Sequence, residues 1–466
     1  MFFDDYALPA GPAGFYIGSY RPLLLVEYAF WEALIPGHFW TVVPKLTSAV
    51  YIALAATALA VYLEQLRVHR ALAISAPLAV LCNPVLADAT LWQSSHALAL
   101  ALSLVVASHV AWLGGRPWLA GGLLLAGVLG YQLYIGLAVV LLAAEIAIGR
   151  PRLPDLALHS SVVVAVGAIQ IGVMLLTRLA VPQTDARGFA SIDSIPQFVN
   201  QKLHGMFNLT VNGIMPVLAW YAGAIAAMSL WKWVPIGLGI VTALVTRRVV
   251  PTILVVVLLF LPSLPILAMS QSPYSWRVSA PVAFGLALAL AVPLARVADV
   301  RIAVAVCVLV AAFMAPVSWY EAQSRVYGHA RQEKLMEAIE TRASREGSAL
   351  TIAWAVPAGR KEDPRYRGPR DLTWGYEVRT PAMWTSFGDE WMARAFVESR
   401  GGRFRLASAD EIVLCTRNCS HANLPSPRVM HLGRGLPTLV CAEVLPELPD
   451  TCPSSGPVTA IGRTAS

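Results

Sequence analysis

The sequence predicts a mainly α protein, a polytopic transmembrane bundle of about 10–11 helices followed by a small α+β soluble domain. Three observations predict it. The 466 residues are 57% hydrophobic and 14% charged, with a mean hydropathy of +0.60. A soluble domain carries roughly 25% charged residues, so this chain cannot cover a soluble surface, and disordered, coiled-coil and fibrous classes are excluded as well. The stretches 46–63, 117–144, 203–231, 249–276, 278–295 and 302–320 contain no Asp, Glu, Lys or Arg, and 71–115 contains only Asp88. About 20 apolar residues cross ~30 Å of hydrocarbon. From about 321 onward charge, Pro and Gly become frequent and long apolar runs stop. The domains are therefore read as a membrane domain, 1–320, and a soluble domain, 321–466.

The elements follow in order. Residues 1–45 read as an external loop rich in Pro, Gly and aromatics, with Asp4, Asp5, Glu27 and Glu32 against Arg21 and Lys45. No signal peptide reads at the start; an external loop there is expected either to be pulled across by later helices or, the favoured reading, to follow a further span. Spans are expected near 46–64, 71–86, 94–113, 118–130, 133–148, 158–180, 212–230, 233–246, 249–269, 278–295 and 302–319. The block 117–148 reads either as one long helix or as a hairpin around 130–136. The segment 181–210 reads as external, with an amphipathic stretch at 197–207 suited to the interface. Trp and Tyr gather at block ends, as in an aromatic belt. Basic loops at 67–70, 150–152, 247–248 and 296–301 point to the cytoplasm. The last span then delivers the tail outside, and an odd number of crossings is expected. In the tail, helices are expected at 321–345 and near 390–399, and strands at 350–355, 404–406 and 412–414.

The net charge of +7 and pI near 9.2 read as loop bias plus a basic tail, not as a nucleic-acid surface. Cys82 and Cys307 fall in apolar blocks and read as inert core residues. Cys415, Cys419, Cys441 and Cys452 all lie in the tail. An even set of four in a small domain suggests two disulfides and an oxidising compartment. Free thiols and metal ligation are the alternatives.

Several polar residues could carry chemistry. Asp4 and Asp5 are adjacent carboxylates suited to general-base or cation-binding work; a solvated loop is the plainer reading. Asn83, Asp88, Trp92, Gln93 and His96 interrupt an apolar block, where polar groups are costly and usually buried in protein or a cavity. Tyr131 and Gln132 interrupt another, and a lone Gln there also serves as an interhelical hydrogen-bonding group. Arg277 stands between two uncharged spans on the side read as external, where a guanidinium suits a phosphate at the membrane surface; snorkelling is the plainer reading. No nucleotide-phosphate loop, His-Glu-x-x-His or Gly-x-Ser-x-Gly motif is present.

Three motifs in order carry a resemblance. Phe2-Phe-Asp4-Asp5-Tyr with Tyr20-Arg21-Pro-Leu is similar to an Asp-Asp loop ending in Arg-Pro-Leu. Asn83-Pro84, running through Trp92-Gln-Ser-Ser-His96, is similar to an Asn-Pro segment leading into a polar helix start. Gly130-Tyr-Gln is similar to a Tyr-Gln step within a membrane helix. Together they resemble the GtrII-type glucosyltransferases of the wider GT-C group of membrane glycosyltransferases. The motifs cover about the first 150 residues; Ser94 stands where that pattern carries a carboxylate, and the tail is larger.

The resemblance implies a GT-C-like bundle in a bacterial inner membrane, with an extracytoplasmic tail. It implies transfer of a sugar, glucose first, from a polyprenyl-phosphate carrier to a surface glycan such as O-antigen or lipopolysaccharide, with inversion. Asp5 or Asp4 would be the base or hold a Mg or Mn ion. Arg277, then Arg21, would meet the lipid phosphate. Glu27, Trp92, Gln93, His96, Tyr131 and Gln132 would line the substrate site. The competing expectation is a transporter or flippase, which calls for ionisable residues deep in the spans; Glu145 is the main one noted.

Overall fold

The computed structural model describes residues 21–36, 43–86, 96–149, 151–180, 233–268, 276–319, 351–355, 402–417, 428–431 and 436–441, with a few isolated positions between. The chain divides into two units, one holding Gly11–Ala322 and the other Met1–Ala10 with the tail Gln323–Ser466.

The first unit is helical. Its elements are α1 Pro22–Leu34, α2 Val43–Gln65, α3 Arg70–Leu81, α4 His96–Leu113 and α5 Pro117–Gly130. A 3-10 turn, Gln132–Tyr134, leads into α6 Ile135–Ala144 and a π turn, Glu145–Gly149. Then come α7 Leu153–Ala180, α8 Trp233–Thr246, α9 Val249–Phe260 with a 3-10 extension Leu261–Ala268, α10 Trp276–Leu294, and α11 Val300–Trp319. Four segments are long and apolar enough to cross a membrane: α2, Gln132–Gly149, α7 and α11; six further apolar helices are shorter. Their outward faces are apolar too. On α2, Ile52, Leu59 and Leu63 are buried while Leu46, Val50 and Leu54 are exposed, and on α7 Val164 and Leu176 are exposed. A helix apolar all round suits lipid rather than water.

Close contacts fix the direction of each helix. Gln65 at the end of α2 lies by Gly114 at the end of α4, and Leu66 packs on Gly149. An Arg296 Nη2 donates to Ile148 O at 3.5 Å. Gly127 and Gly130 of α5 meet Val105 and Ala101 of α4, so these two helices are antiparallel. Gly136 meets Pro262, while α9 packs on the π turn. Gly239 of α8 meets Val256 of α9 across the Arg247–Arg248 turn. Ser318 of α11 donates to Cys82 O at the end of α3. From α2 to α11 the described apolar segments therefore alternate, and all four expected basic loops, together with Arg116, gather at one end of the bundle. Val43 and Trp319 lie at the other end.

The expected odd number of crossings counts segments that lie outside the described residues; within the described residues the ten apolar segments alternate, so Val43 and Trp319 lie at the same end. The open question at 117–148 resolves as the hairpin. Tyr131 adopts an extended backbone (φ −154°, ψ 107°) between α5 and the 3-10 turn, and the Gly130 side of α5 faces Ala101 while Glu145 comes level with His109. The expected 1–45 loop is helical over Pro22–Leu34, where Pro22 at the first helical position needs no amide donor. The expected 212–230 span and 197–207 amphipathic stretch lie outside the described residues, apart from a few positions of the former.

The tail carries a four-stranded sheet of β1 Thr351–Ala355, β2 Arg403–Leu406, β3 Arg428–His431 and β4 Thr438–Cys441, in the order β2-β1-β4-β3. β1 is parallel to β2 and β4, with Ile352 opposite Phe404 and Thr438; β3 and β4 are antiparallel. The expected strands at 350–355 and 404–406 are present. The expected strand at 412–414 is instead helix α12, Ala409–Arg417. A capping box explains it: Glu411 N donates to Ser408 Oγ at 3.4 Å, and Ser408 N donates to Glu411 Oε2 at 2.8 Å. The expected helices at 321–345 and 390–399 lie outside the described residues, apart from Ala322 and single positions.

Candidate active site

The end of the bundle opposite the basic loops holds the best-formed part of the expected site. Arg21 stands at the N-terminal boundary of α1, and Leu24 N donates to its carbonyl at 3.1 Å. Gly130 lets α4 come close, since a Cβ there would lie 2.7 Å from Ala101 Cβ, while Leu23 and Leu24 of α1 pack at ordinary distances of 3.4 and 3.5 Å from it. Beside this contact the Arg21 guanidinium lies over the Tyr131 ring, 4.6 Å from its centroid. Both side chains are buried. A guanidinium stacked on an aromatic face keeps its fork of N–H donors in a fixed plane.

Tyr131 is held in turn. The helix breaks there because Tyr134 N turns back to Tyr131 O at 2.9 Å, and the two rings meet edge to face at 4.8 Å. Gln132 follows, with its Oε1 buried and without a hydrogen-bond partner among the described residues. Glu27, one and a half turns along α1, is buried as well, and the Tyr51 hydroxyl lies beside it and Trp31. Nearby Tyr28, at the α1 surface, has its phenol held above the ordinary range by burial and then by the Glu32 charge.

From Tyr51 a groove of about 710 Å³ runs down between α2, α4 and α5 to Gln65 and Arg116 at the basic end. Leu54, Ala58, Val61, Leu104 and Leu123 line it. The arrangement combines a cation held on an aromatic face, a buried carboxylate and an apolar groove that begins at Tyr51.

No family model, curated protein or solved structure matches this chain.

The structure thus joins two of the three motifs, Arg21-Pro-Leu and Gly130-Tyr-Gln. The third, Asn83-Pro84, sits at the same end of the bundle. There Asn83 is fully buried and its Oδ1 accepts from Val85 N at 3.0 Å, which is the work of a turn residue. Arg277 lies in the first turn of α10, at this end too, and His96 begins α4; their side chains lie outside the described residues, as do Asp4, Asp5, Trp92 and Gln93. Cys415 falls in α12 and Cys441 ends β4, while Cys419 and Cys452 lie outside the described residues. Cys82 and Cys307 are free thiols.

Sequence reasoning missed one cluster near the basic end. His109 of α4, Glu145 of the π turn and His159 of α7 are all buried, with ligating atoms within 4.8 Å of one another. His159 Nδ1 donates to Glu145 Oε2 at 2.9 Å. Trp112 stacks on the His159 ring at 4.2 Å, and Tyr62 meets His109 edge-on at 6.1 Å. The signal was present, since an ionisable residue inside an apolar block is a functional candidate by default; His109 sits inside such a block and His159 at the start of an expected span.

Proposed function

We propose that this chain is a membrane glycosyltransferase that moves a sugar, glucose first, from a polyprenyl-phosphate carrier to a surface glycan on the outer side of a bacterial inner membrane. One observation carries the reading: a buried guanidinium stacked on Tyr131 stands at the end opposite the described basic loops, on the same helix as the buried Glu27, beside which Tyr51 opens an apolar groove. Positive-inside bias puts the basic end in the cytoplasm, hence Arg21 and Tyr131 outside. The groove offers the carrier's lipid a path between helices, and Arg21, with Arg277 at the same end, offers its phosphate a cation. Asp5 or Asp4 takes the proton from the acceptor hydroxyl as its oxygen attacks the anomeric carbon. The bond from that carbon to the phosphate oxygen breaks, and the electron pair leaves on the phosphate, whose charge the guanidinium stabilises. Gln132 has an acceptor unpartnered among the described residues that suits a sugar hydroxyl. Attack opposite the leaving phosphate inverts the centre.

The test is sugar transfer in membranes carrying the protein, supplied with polyprenyl-phosphate glucose and a lipid-linked surface glycan. Wild type transfers; Asp4→Asn with Asp5→Asn inserts normally and does not. Transfer retained in the double variant removes the base assignment. No transfer by folded wild type from any polyprenyl-phosphate sugar removes the enzyme reading. A transporter or flippase is then favoured, and the specific observation behind that second reading is the Glu145–His159 pair inside the spans.

A further inference from the structure

The cluster at the basic end has no part in the transfer reaction. His159 and Glu145 satisfy one another at 2.9 Å, with 4% and 3% of their side chains exposed. His109 is different. It is fully buried, both its ring nitrogens lack a hydrogen-bond partner among the described residues, and its ring lies 4.7 Å from that of His159. An imidazole carries at least one N–H, and burying it unpartnered costs free energy. Such a group persists in a well-packed interior when something else claims it.

The surroundings prepare these three side chains. Trp112 holds the plane of His159, with 13° between the rings. The Tyr62 hydroxyl donates to Leu141 O, one turn before Glu145. Glu145 itself opens a π turn, a local widening of the helix that recurs at functional sites. The three groups come from three different helical segments, so whatever joins them also joins α4, the π turn and α7.

We propose that His109, Glu145 and His159 form a site for one zinc-class divalent cation that fastens these three segments together near the basic end. Two imidazoles and a carboxylate are a donor set that zinc takes, with a fourth position left for water. Zinc bonds of about 2.0–2.2 Å set tetrahedral ligands roughly 3.3–3.6 Å apart. The Glu145–His159 separation of 2.9 Å opens slightly as the ion replaces the shared proton, and His109 moves in from within 4.8 Å. The ion gives the His109 ring its missing partner. It also offsets the Glu145 charge in the membrane interior. The site uses none of the residues assigned to the proposed transfer, and it stands or falls independently of the glycosyltransferase reading.

The experiment uses the full chain in detergent with its affinity tag removed. The protein is loaded with zinc chloride, gel-filtered and assayed for metal by mass spectrometry. Wild type retains about one zinc per chain, and cobalt in its place gives the visible absorption of a tetrahedral ion. His109→Ala and His159→Ala retain less than about a tenth of that, and Glu145→Gln binds at least about tenfold more weakly. His109→Cys, which supplies a different ligand from the same position, keeps the metal and so separates loss of a ligand from loss of the fold. Wild type that elutes without zinc overturns the proposal, as does equal zinc content in wild type and all the alanine variants.

Discussion

At the scale of single residues, the arrangement of Arg21 over Tyr131 depends on shape as much as on charge. Lysine would keep the charge but lose the planar face that lies on the ring. A cation over an aromatic face contributes about 0.5–2 kcal/mol. If this contact positions the phosphate, Arg21→Lys lowers initial rates of sugar transfer by about 2- to 30-fold. Tyr131→Phe keeps the face and leaves the rate near wild type, while Tyr131→Leu follows the lysine variant. Equal rates in all three would detach this contact from transfer. Only the presence of Arg21 and Tyr131 was legible in the sequence. Their meeting rests on the packing of α1 against α5, where Leu23 and Leu24 contact Gly130, and nothing in a linear reading pairs residue 21 with residue 131.

At the scale of elements, packing and capping decide outcomes that periodicity left open. Gly136 is the tight point between α6 and the 3-10 extension of α9. A Cβ there would lie 2.5 Å from Pro262 O and 3.0 Å from Pro262 C, both rigid backbone atoms. Gly136→Val therefore destabilises by about 1–3 kcal/mol or more, read as a lower midpoint of thermal unfolding in detergent. Gly172, with nothing within 4 Å of its Cβ position, is the control, and Gly172→Ala leaves the midpoint unchanged or higher. In the tail, the short apolar run at 412–414 reads as a strand, and the Ser408–Glu411 box makes it part of a helix instead. Glu411 is also gripped by Arg405 through contacts of 2.6 and 2.7 Å. The Arg405 hydrogen bonds hold the Glu411 carboxyl below its ordinary range, against the opposing effect of burial. A depressed folded-state pKa adds stability above the ordinary carboxylate range, and that stability is lost as pH falls through it toward the folded value. Amide protection in α12, corrected for intrinsic exchange, should fall with pH in this acid range in wild type. In Glu411→Gln it should be lower at neutral pH and nearly flat.

At the scale of the whole molecule, the alternation of the helices makes a topological prediction. Asp299 precedes α11 at the basic end and the exposed Trp319 closes it at the other. In intact cells a membrane-impermeant maleimide labels Trp319→Cys, whereas Asp299→Cys reacts only after permeabilisation, as read from the labelled peptides. Labelling of both from one side would break the alternation.

The sequence alone determined that the chain is a bundle of apolar helices, where most of them begin and end, and which loops are basic. These are properties of contiguous residues, because partition into hydrocarbon depends on the composition of one segment at a time. Tertiary structure alone decided that Tyr131 breaks a helix to meet Arg21, that both ends of the described bundle lie on one side, and that His109, Glu145 and His159 converge. Each of these depends on contacts between segments far apart in the chain. Side-chain packing between helices selects among such contacts, and hydrophobicity, being non-directional, does not.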